Sequence, residues 1–425
     1  MNIMFKERKS QYIRINQNKL NSEKKFITLY SWFKTRNILL ILIILELVFI
    51  IYFYLGLEKI SNIINTNEIN SPDNSLNISH FSREEALKMG KEYLDICQRG
   101  LLIDNKTFED YKNPIFSVVI PVYNSQNTIK RTIRSIQNQN MLNIEIILVN
   151  DLPSDNTTKI IEEIQKEDPR IKIIYNQKNM GTLYSRCIGA LEARGKYITQ
   201  IDNDDIFSNK YIFNIIYNET ENEYFDIISF RAFSVSGEKY TDDYLTIKGD
   251  TKHLKHFQPV IGIFPVDKNN PIYPNHIYIW GKAIKNVVYK SALNLIGKKR
   301  LSDFLIWNED ISVYFVIGNL ADSYKYINEY GIIHFVHKKS ISSLLSDDQK
   351  RIGHLYLLNL ILDFSKNEYK KNAALYLISL VSFFKSMRND EIKRDLKSFI
   401  NKILNCDYID DNIKNKIKMI FKNFI

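Results

Sequence analysis

Asp202-Asn203-Asp204-Asp205 is the stretch of the sequence best suited to chemistry. Spaced carboxylates offer hard oxygen ligands to a divalent cation, and such a cation can hold the phosphates of a nucleotide. Acidic triplets are also common as solvated turns, so the context decides. Here the context is KYITQIDNDDIF, an apolar strand running straight into the acids. Two polar motifs close apolar runs upstream, Pro121-Val122-Tyr123-Asn124 after the first and Asn150-Asp151 after the second. Downstream, Asn308-Glu309-Asp310 precedes Ile311, Val313, Tyr314 and Ile317 at helical spacing. An acid there suits a helix N-terminus, and it also suits a proton acceptor aimed into a cleft.

These residues need a scaffold, and the pattern around them supplies one. FSVVIPVYN, IEIILVND and IKIIYN are continuous β-branched runs of strand length, the form of buried parallel strands. Between the first two, Ile129, Ile133 and Ile136 mark a helix face over 128–138; between the second and third, Ile160, Ile161 and Ile164 mark another over 157–167. A further helix is predicted over 182–193. This alternation predicts an α/β fold, a mostly parallel sheet flanked by helices, with a Rossmann-like nucleotide crevice at its carboxyl edge. After Asp226 the pattern loosens, and Pro259, Pro265, Pro271 and Pro274 mark an irregular, acceptor-facing stretch. Ser82 and Glu85 form a capping-box pattern before a helix that ends at Gly100. Residues 350–425 read as a helical appendage, with Ile413, Ile417, Ile420 and Phe424 on one face.

The net charge of +10 resides at the two ends. Residues 1–37 hold nine Lys or Arg against two Glu, and residues 350–425 hold fifteen against eight acids, +7 each, which leaves the middle near −4. A slightly acidic central domain argues against a nucleic-acid reader. Ile38 to Leu57 is a 20-residue apolar run with one charge, Glu46, and it follows Lys24, Lys25, Lys34 and Arg36. That pattern predicts a single-pass type II membrane anchor, in the Golgi or endoplasmic reticulum of a eukaryote or otherwise in a plasma membrane. Residues 61–79 are rich in Asn, Ser, Asp and Pro and read as a stem. Cys97, Cys187 and Cys406 lack paired spacing and imply neither a disulfide framework nor a zinc site.

Taken in order, the motifs resemble those of family 2 glycosyltransferases: P-V-Y-N, an Asp after the second strand, an N-x-G followed by an Arg helix, and D-x-D-D. This chain supplies Pro121 to Asn124, Asp151, Asn179-Met180-Gly181 with Arg186, and Asp202 to Asp205. Trp280-Gly281-Lys282 is similar to the family's W-N-K, Glu309-Asp310 to its E-D element, and His337 to Ser343 to its H-x-x-S-x-S tail. The resemblance, over residues 116–343, implies an inverting enzyme of the GT-A fold. It places a nucleotide-sugar donor, commonly a UDP sugar, against Pro121, Val122, Tyr123, Asn124, Asp151, Gly181, Arg186 and Asp202. Asp151 would face the nucleobase and Asp202 the ribose. Asp204 with His337 would hold Mn²⁺ or Mg²⁺, and Asp310 would be the catalytic base toward a carbohydrate, lipid or protein acceptor. His334 competes with His337, Trp280 fits either the core or a sugar platform, and Glu309 rivals Asp310. The implied domains are a basic tail (1–37), membrane helix (38–57), stem and accessory helix (58–114), catalytic domain (115–345) and helical region (346–425). Two other readings share the pattern: an inactive GT-A-like membrane protein, and a sugar nucleotidyltransferase.

Overall fold

The computed structural model describes residues 80–100, 102, 112–242, 278–336, 345–364, 390–407, 409 and 411–420, all within the compact unit Leu76–Ile425. The expected membrane helix, the stem, the proline-marked stretch and His337 lie outside the described residues. Among the described residues, no helix is long and apolar enough to cross a membrane.

Helix α1 (Arg83–Arg99) opens the described chain with the expected capping box, Ser82 and Glu85 each accepting from the other's backbone, and Gly100 closes it in the left-handed conformation. Then come β1 (Phe116–Val122), α2 (Ile129–Gln137), β2 (Ile144–Asn150), α3 (Thr157–Glu167), β3 (Ile171–Tyr175), α4 (Gly181–Leu191) and β4 (Tyr197–Gln200). The second half holds β5 (Ile206–Phe207), α5 (Ile212–Asn218), β6 (Ile227–Ser236), β7 (Lys239–Asp242), β8 (Lys282–Lys285), α6 (Asn286–Ile296), α7 (Lys298–Leu301), α8 (Glu309–Leu320) and β9 (Tyr324–Phe335). Helices α9 (Asp347–Phe364), α10 (Asp390–Leu404) and α11 (Asp411–Ile420) follow.

One nine-stranded sheet runs β3-β2-β1-β4-β8-β6-β9-β5, with β7 paired to β6. The first four strands are parallel, as their runs predicted. The second half departs from the mostly parallel expectation: β8 is antiparallel to both β4 and β6, β5 is antiparallel to β9, and only β6 and β9 run parallel there. Between β4 and β8 the chain passes through the acidic turn, β5, α5, β6 and β7, so the regular strand–helix alternation of the first half is not continued.

The strand period of two divides the interior into layers. Val118, Ile120 and Val122 pack with Ile129, Ile133 and Ile136 of α2 on one face, while Val119, Ile147 and Val149 meet Leu183, Cys187 and Ala190 of α4 on the other. Helix α4 lies so close to the sheet that a Cβ at Gly189 would come within 2.4 Å of Val119 Cγ1. The described C-terminal helices pack on the domain. Leu357, Leu358, Ile361, Phe399, Ile400, Ile403 and Ile417 join the same cluster as Tyr314 and Ile317 of α8, so the region completes a core face.

Candidate active site

Three chain segments meet at the carboxyl edge of β1, β2 and β4. Pro121 and Val122 are buried within β1 and build that edge, while Tyr123 and Asn124 emerge from it, Tyr123 being 36% exposed. Asn124 adopts φ 43°, and its Oδ1 accepts from the Ser154 amide at 2.8 Å. Asp151 follows β2 and is buried. Its carboxylate accepts from the backbone N–H of Met180 at 2.7 Å and of Gly181 at 2.9 Å, and from Asn176 Nδ2 at 2.7 Å. It thereby caps the N-terminus of α4, where orphan amides attract an anion.

The acids after β4 form the second element. Ligand atoms of Asp202, Asp204 and Asp205 lie within 4.8 Å of one another. Helix α2 holds the turn from below: Arg131 donates to the Asp204 carbonyl at 2.7 Å and Thr132 to that of Asn203 at 3.1 Å. The pairing of Ile206 with Ile333 brings β9 alongside. As a result Asp205 accepts from the Phe335 amide at 2.9 Å and lies 2.9 Å from His334 Nδ1. Burial pushes the Asp204 carboxyl above its ordinary range, and repulsion from Asp205 and Asp202 adds to the rise. Crowded anionic oxygens at a strand end suit a hard divalent cation, whose charge offsets the crowding.

Across the cleft, Glu309 and Asp310 open α8, with side chains 14% and 13% exposed. Arg186 of α4 joins the two sides. It donates to Asp202 Oδ1 at 2.6 Å and to Gln200 Oε1 at 3.1 Å, and its Nε lies 3.1 Å from Asp310 Oδ1. Burial opposes its charge, but Asp310, Asp202 and Glu309 outweigh that and hold the guanidinium protonated. Its described partners are thus the carboxylates of Asp202 and Asp310 and the amide oxygen of Gln200. Asp310 has little other support: Oδ2 accepts from the Ile279 amide at a long 3.4 Å, and Oδ1 has no hydrogen bond among the described residues. Burial raises the carboxyls of both Glu309 and Asp310, with Arg186 opposing. Lys282, fully buried at the start of β8, donates to the Tyr278 carbonyl and lies 4.6 Å from the centre of the Tyr314 ring. Burial lowers its pKa to about 7, and Asp310 opposes the shift.

Trp280 stacks with Tyr278 and with His334, ring centres 5.2 Å apart in each pair, and at 4% exposure it is a core residue with no open surface for a sugar. The structure thus joins Asp202, Arg186 and Asp310 in one ion-pair chain and sets Asp204 and Asp205 beside His334. The sequence left His334 only as a competitor. Its signal was the alternation of β9, which turns His334 toward the acids.

Residues 117–276 match the model of a family described as Glycosyl transferase family 2. An uncharacterized glycosyltransferase of Haemophilus influenzae is 28% identical over 301 residues, 68% of this chain and 84% of the relative. The uncharacterized glycosyltransferase EpsJ of Bacillus subtilis is 34% identical over 151 residues, 34% of this chain and 43% of the relative. The GalNAc(5)-diNAcBac-PP-undecaprenol beta-1,3-glucosyltransferase of Campylobacter jejuni is 38% identical over 93 residues, 22% of this chain and 30% of the relative. The chain therefore spans most of the first relative but less than half of the length of the other two. Among solved structures, S. aureus TarS 1–349 in complex with UDP-GlcNAc superposes with a TM-score of 0.52 at 16% identity, over 70% of this chain and 82% of that one. That likeness is one of fold. Residues 117–276 are thus similar in sequence to family 2 glycosyltransferases, and the described fold is similar to that of TarS.

Proposed function

We propose that the chain, with its family 2 match and GT-A-like fold, is a metal-dependent inverting glycosyltransferase that moves a sugar from a UDP donor to an acceptor hydroxyl. The observation that carries this reading is the separation of two carboxylate groups by one buried cation: Asp202, Asp204 and Asp205 on one side of Arg186, Glu309 and Asp310 on the other. The first group suits a cation and a diphosphate, the second a hydroxyl. The donor class is supported by the UDP and UDP-GlcNAc complexes of TarS.

Asp204 and Asp205 would hold Mn²⁺ or Mg²⁺, with Asp202 beside them. When bound, such an ion supplies positive charge where the departing diphosphate accumulates negative charge. His337 keeps its proposed part as a further ligand, outside the described residues. Tyr123 is exposed to stack a base, and Asp151, by capping α4, fixes the loop beside it. Asp310 takes the proton of the acceptor hydroxyl as that oxygen attacks the anomeric carbon. Its raised pKa improves it as a base, while Arg186 keeps enough of it ionised to act. One base and a single displacement give inversion. Ile38 to Leu57 would anchor the protein so that it meets a membrane-side acceptor. In support, the name of the Campylobacter jejuni relative specifies a PP-undecaprenol acceptor.

The test is a screen of UDP sugars with the full chain, with Mn²⁺ or with chelator, following UDP release and the anomeric configuration of the product by NMR. Metal-dependent release with inversion is expected. Full rate in chelator removes the metal, retention removes the single displacement, and a product formed by nucleotidyl transfer replaces the reading altogether.

A further inference from the structure

We propose that helix α9 positions the acid-bearing turn, with His354 as a positioning residue that acts on Asp310 through Asn308. The proposal rests on the acceptor-side role given above to Glu309 and Asp310.

Asn308 immediately precedes the two acids and adopts φ 61°. A non-glycine residue in the left-handed region persists where its surroundings hold it. The hold is visible. Asn308 Nδ2 lies 2.6 Å from Nδ1 of His354, one of the buried residues of α9. An amide NH₂ only donates, so Nδ1 must be the acceptor and the imidazole neutral. Burial agrees with this, lowering the His354 pKa to about 4, with the charge of Lys350 adding to the effect.

Backbone contact reinforces the side-chain bond. A Cβ at Gly353 would sit 2.2 Å from the Trp307 carbonyl oxygen, so α9 presses against the turn with only a hydrogen between them. The opposite side of the same turn is bound to α4: the Leu183 amide donates to the Leu305 carbonyl at 3.1 Å, and a Cβ at Gly181 would lie 3.3 Å from that oxygen. Residues 305–308 are therefore clamped between the helix that carries Arg186 and a helix from the C-terminal region. Helix α9 can serve as the fixed jaw because Leu357, Leu358 and Ile361 are buried in the main core and Tyr356 Oη donates to the Arg300 carbonyl at 3.2 Å. Asp310 lacks strong hydrogen bonds of its own, so this clamp and Arg186 set where its carboxylate points. A misplacement of about 1 Å at a reacting group can cost on the order of 100-fold in rate.

The test uses the full chain with Mn²⁺ and, in separate reactions, UDP-N-acetylglucosamine, UDP-glucose and UDP-galactose, each with water as acceptor. The rate of UDP release is read beside the Kd for UDP from calorimetry. His354→Leu removes the acceptor atom; His354→Asn replaces Nδ1 by an amide oxygen in nearly the same place. Asn308→Gly keeps the backbone conformation and deletes the bond, and it serves if His354→Leu does not fold. We expect kcat to fall about 10- to 100-fold in His354→Leu and in Asn308→Gly, with the Kd for UDP within about twofold of wild type. His354→Asn should recover most of that loss, and the double variant should be no slower than either single one. Wild-type kcat in Asn308→Gly, or an Asn variant as slow as the Leu variant, overturns the proposal. Asp310→Asn and Glu309→Gln are run in parallel. Unchanged turnover in both removes the acceptor-side reading itself, whereas slow turnover there with a fast Asn308→Gly overturns only the positioning.

Discussion

Asp151 and Asp310 are both carboxylates of low exposure beside a helix N-terminus, yet they are held in opposite ways. Asp151, at the end of β2, accepts from two backbone amides and an Asn side chain between β3 and α4. Asp310 is held by an arginine from a different helix and one long amide contact. A carboxylate whose oxygens are taken up by backbone amides at a helix start has little freedom to turn toward another partner. One fixed by distant ion pairing has capacity to spare, and a proton acceptor needs that capacity.

The largest effect should come from the metal side. Asp204→Asn is expected to lower transfer by more than about 1,000-fold, because it removes a ligand charge where the leaving group is stabilised. Its thermal midpoint without metal should hold or rise, since the ionised carboxylate is crowded by Asp202 and Asp205; a midpoint lower by many degrees would show that Asp204 supports the fold instead. Next, Asp310→Asn should lower kcat by about 100- to 10,000-fold with donor Kd little changed, and Glu309→Gln should do less. Equal losses in single-turnover kinetics would erase the distinction between the two acids. In contrast, Asp151→Ala should show chiefly in stability, costing about 1–2 kcal/mol in urea unfolding through lost capping. A wild-type denaturation midpoint would mean that those amides find other partners.

The smallest effect concerns pH. Burial holds His354 neutral, with a folded pKa of about 4 against an ordinary value near 6.5. The unfolded chain binds the extra proton first, so this contribution to stability is complete above about pH 6.5 and is lost as pH falls toward 4. Thermal midpoints between pH 7 and 5 should therefore decline more steeply for wild type than for His354→Asn. Parallel curves would place the acid sensitivity elsewhere.

The same contrast explains what could be read from the sequence. In the half built from β1 to β4 every element is set by local pattern. β-branched runs became parallel strands, helix faces of isoleucine became packed faces, and the polar residues closing each run lie at one sheet edge. In the other half, positions depend on pairings between distant segments. Nothing local says that Ile206 pairs with Ile333, or that Asn308 meets His354 across 46 positions of sequence. The proline-marked stretch and His337 lie outside the described residues. Trp280 could be read as core or platform from sequence, and its burial against Tyr278 and His334 decides for core.

That stacking has an optical consequence. The chain contains three tryptophans, Trp32, Trp280 and Trp307. Trp280 stacks on His334, which touches Asp205 of the acidic cluster, while Trp307 adjoins the acid-bearing turn with its ring edge toward His354. Each half of the site therefore carries its own intrinsic fluorophore. With Trp32 replaced, single-tryptophan variants would report cation arrival at one half and movement of the turn at the other as separate emission signals, without an added label.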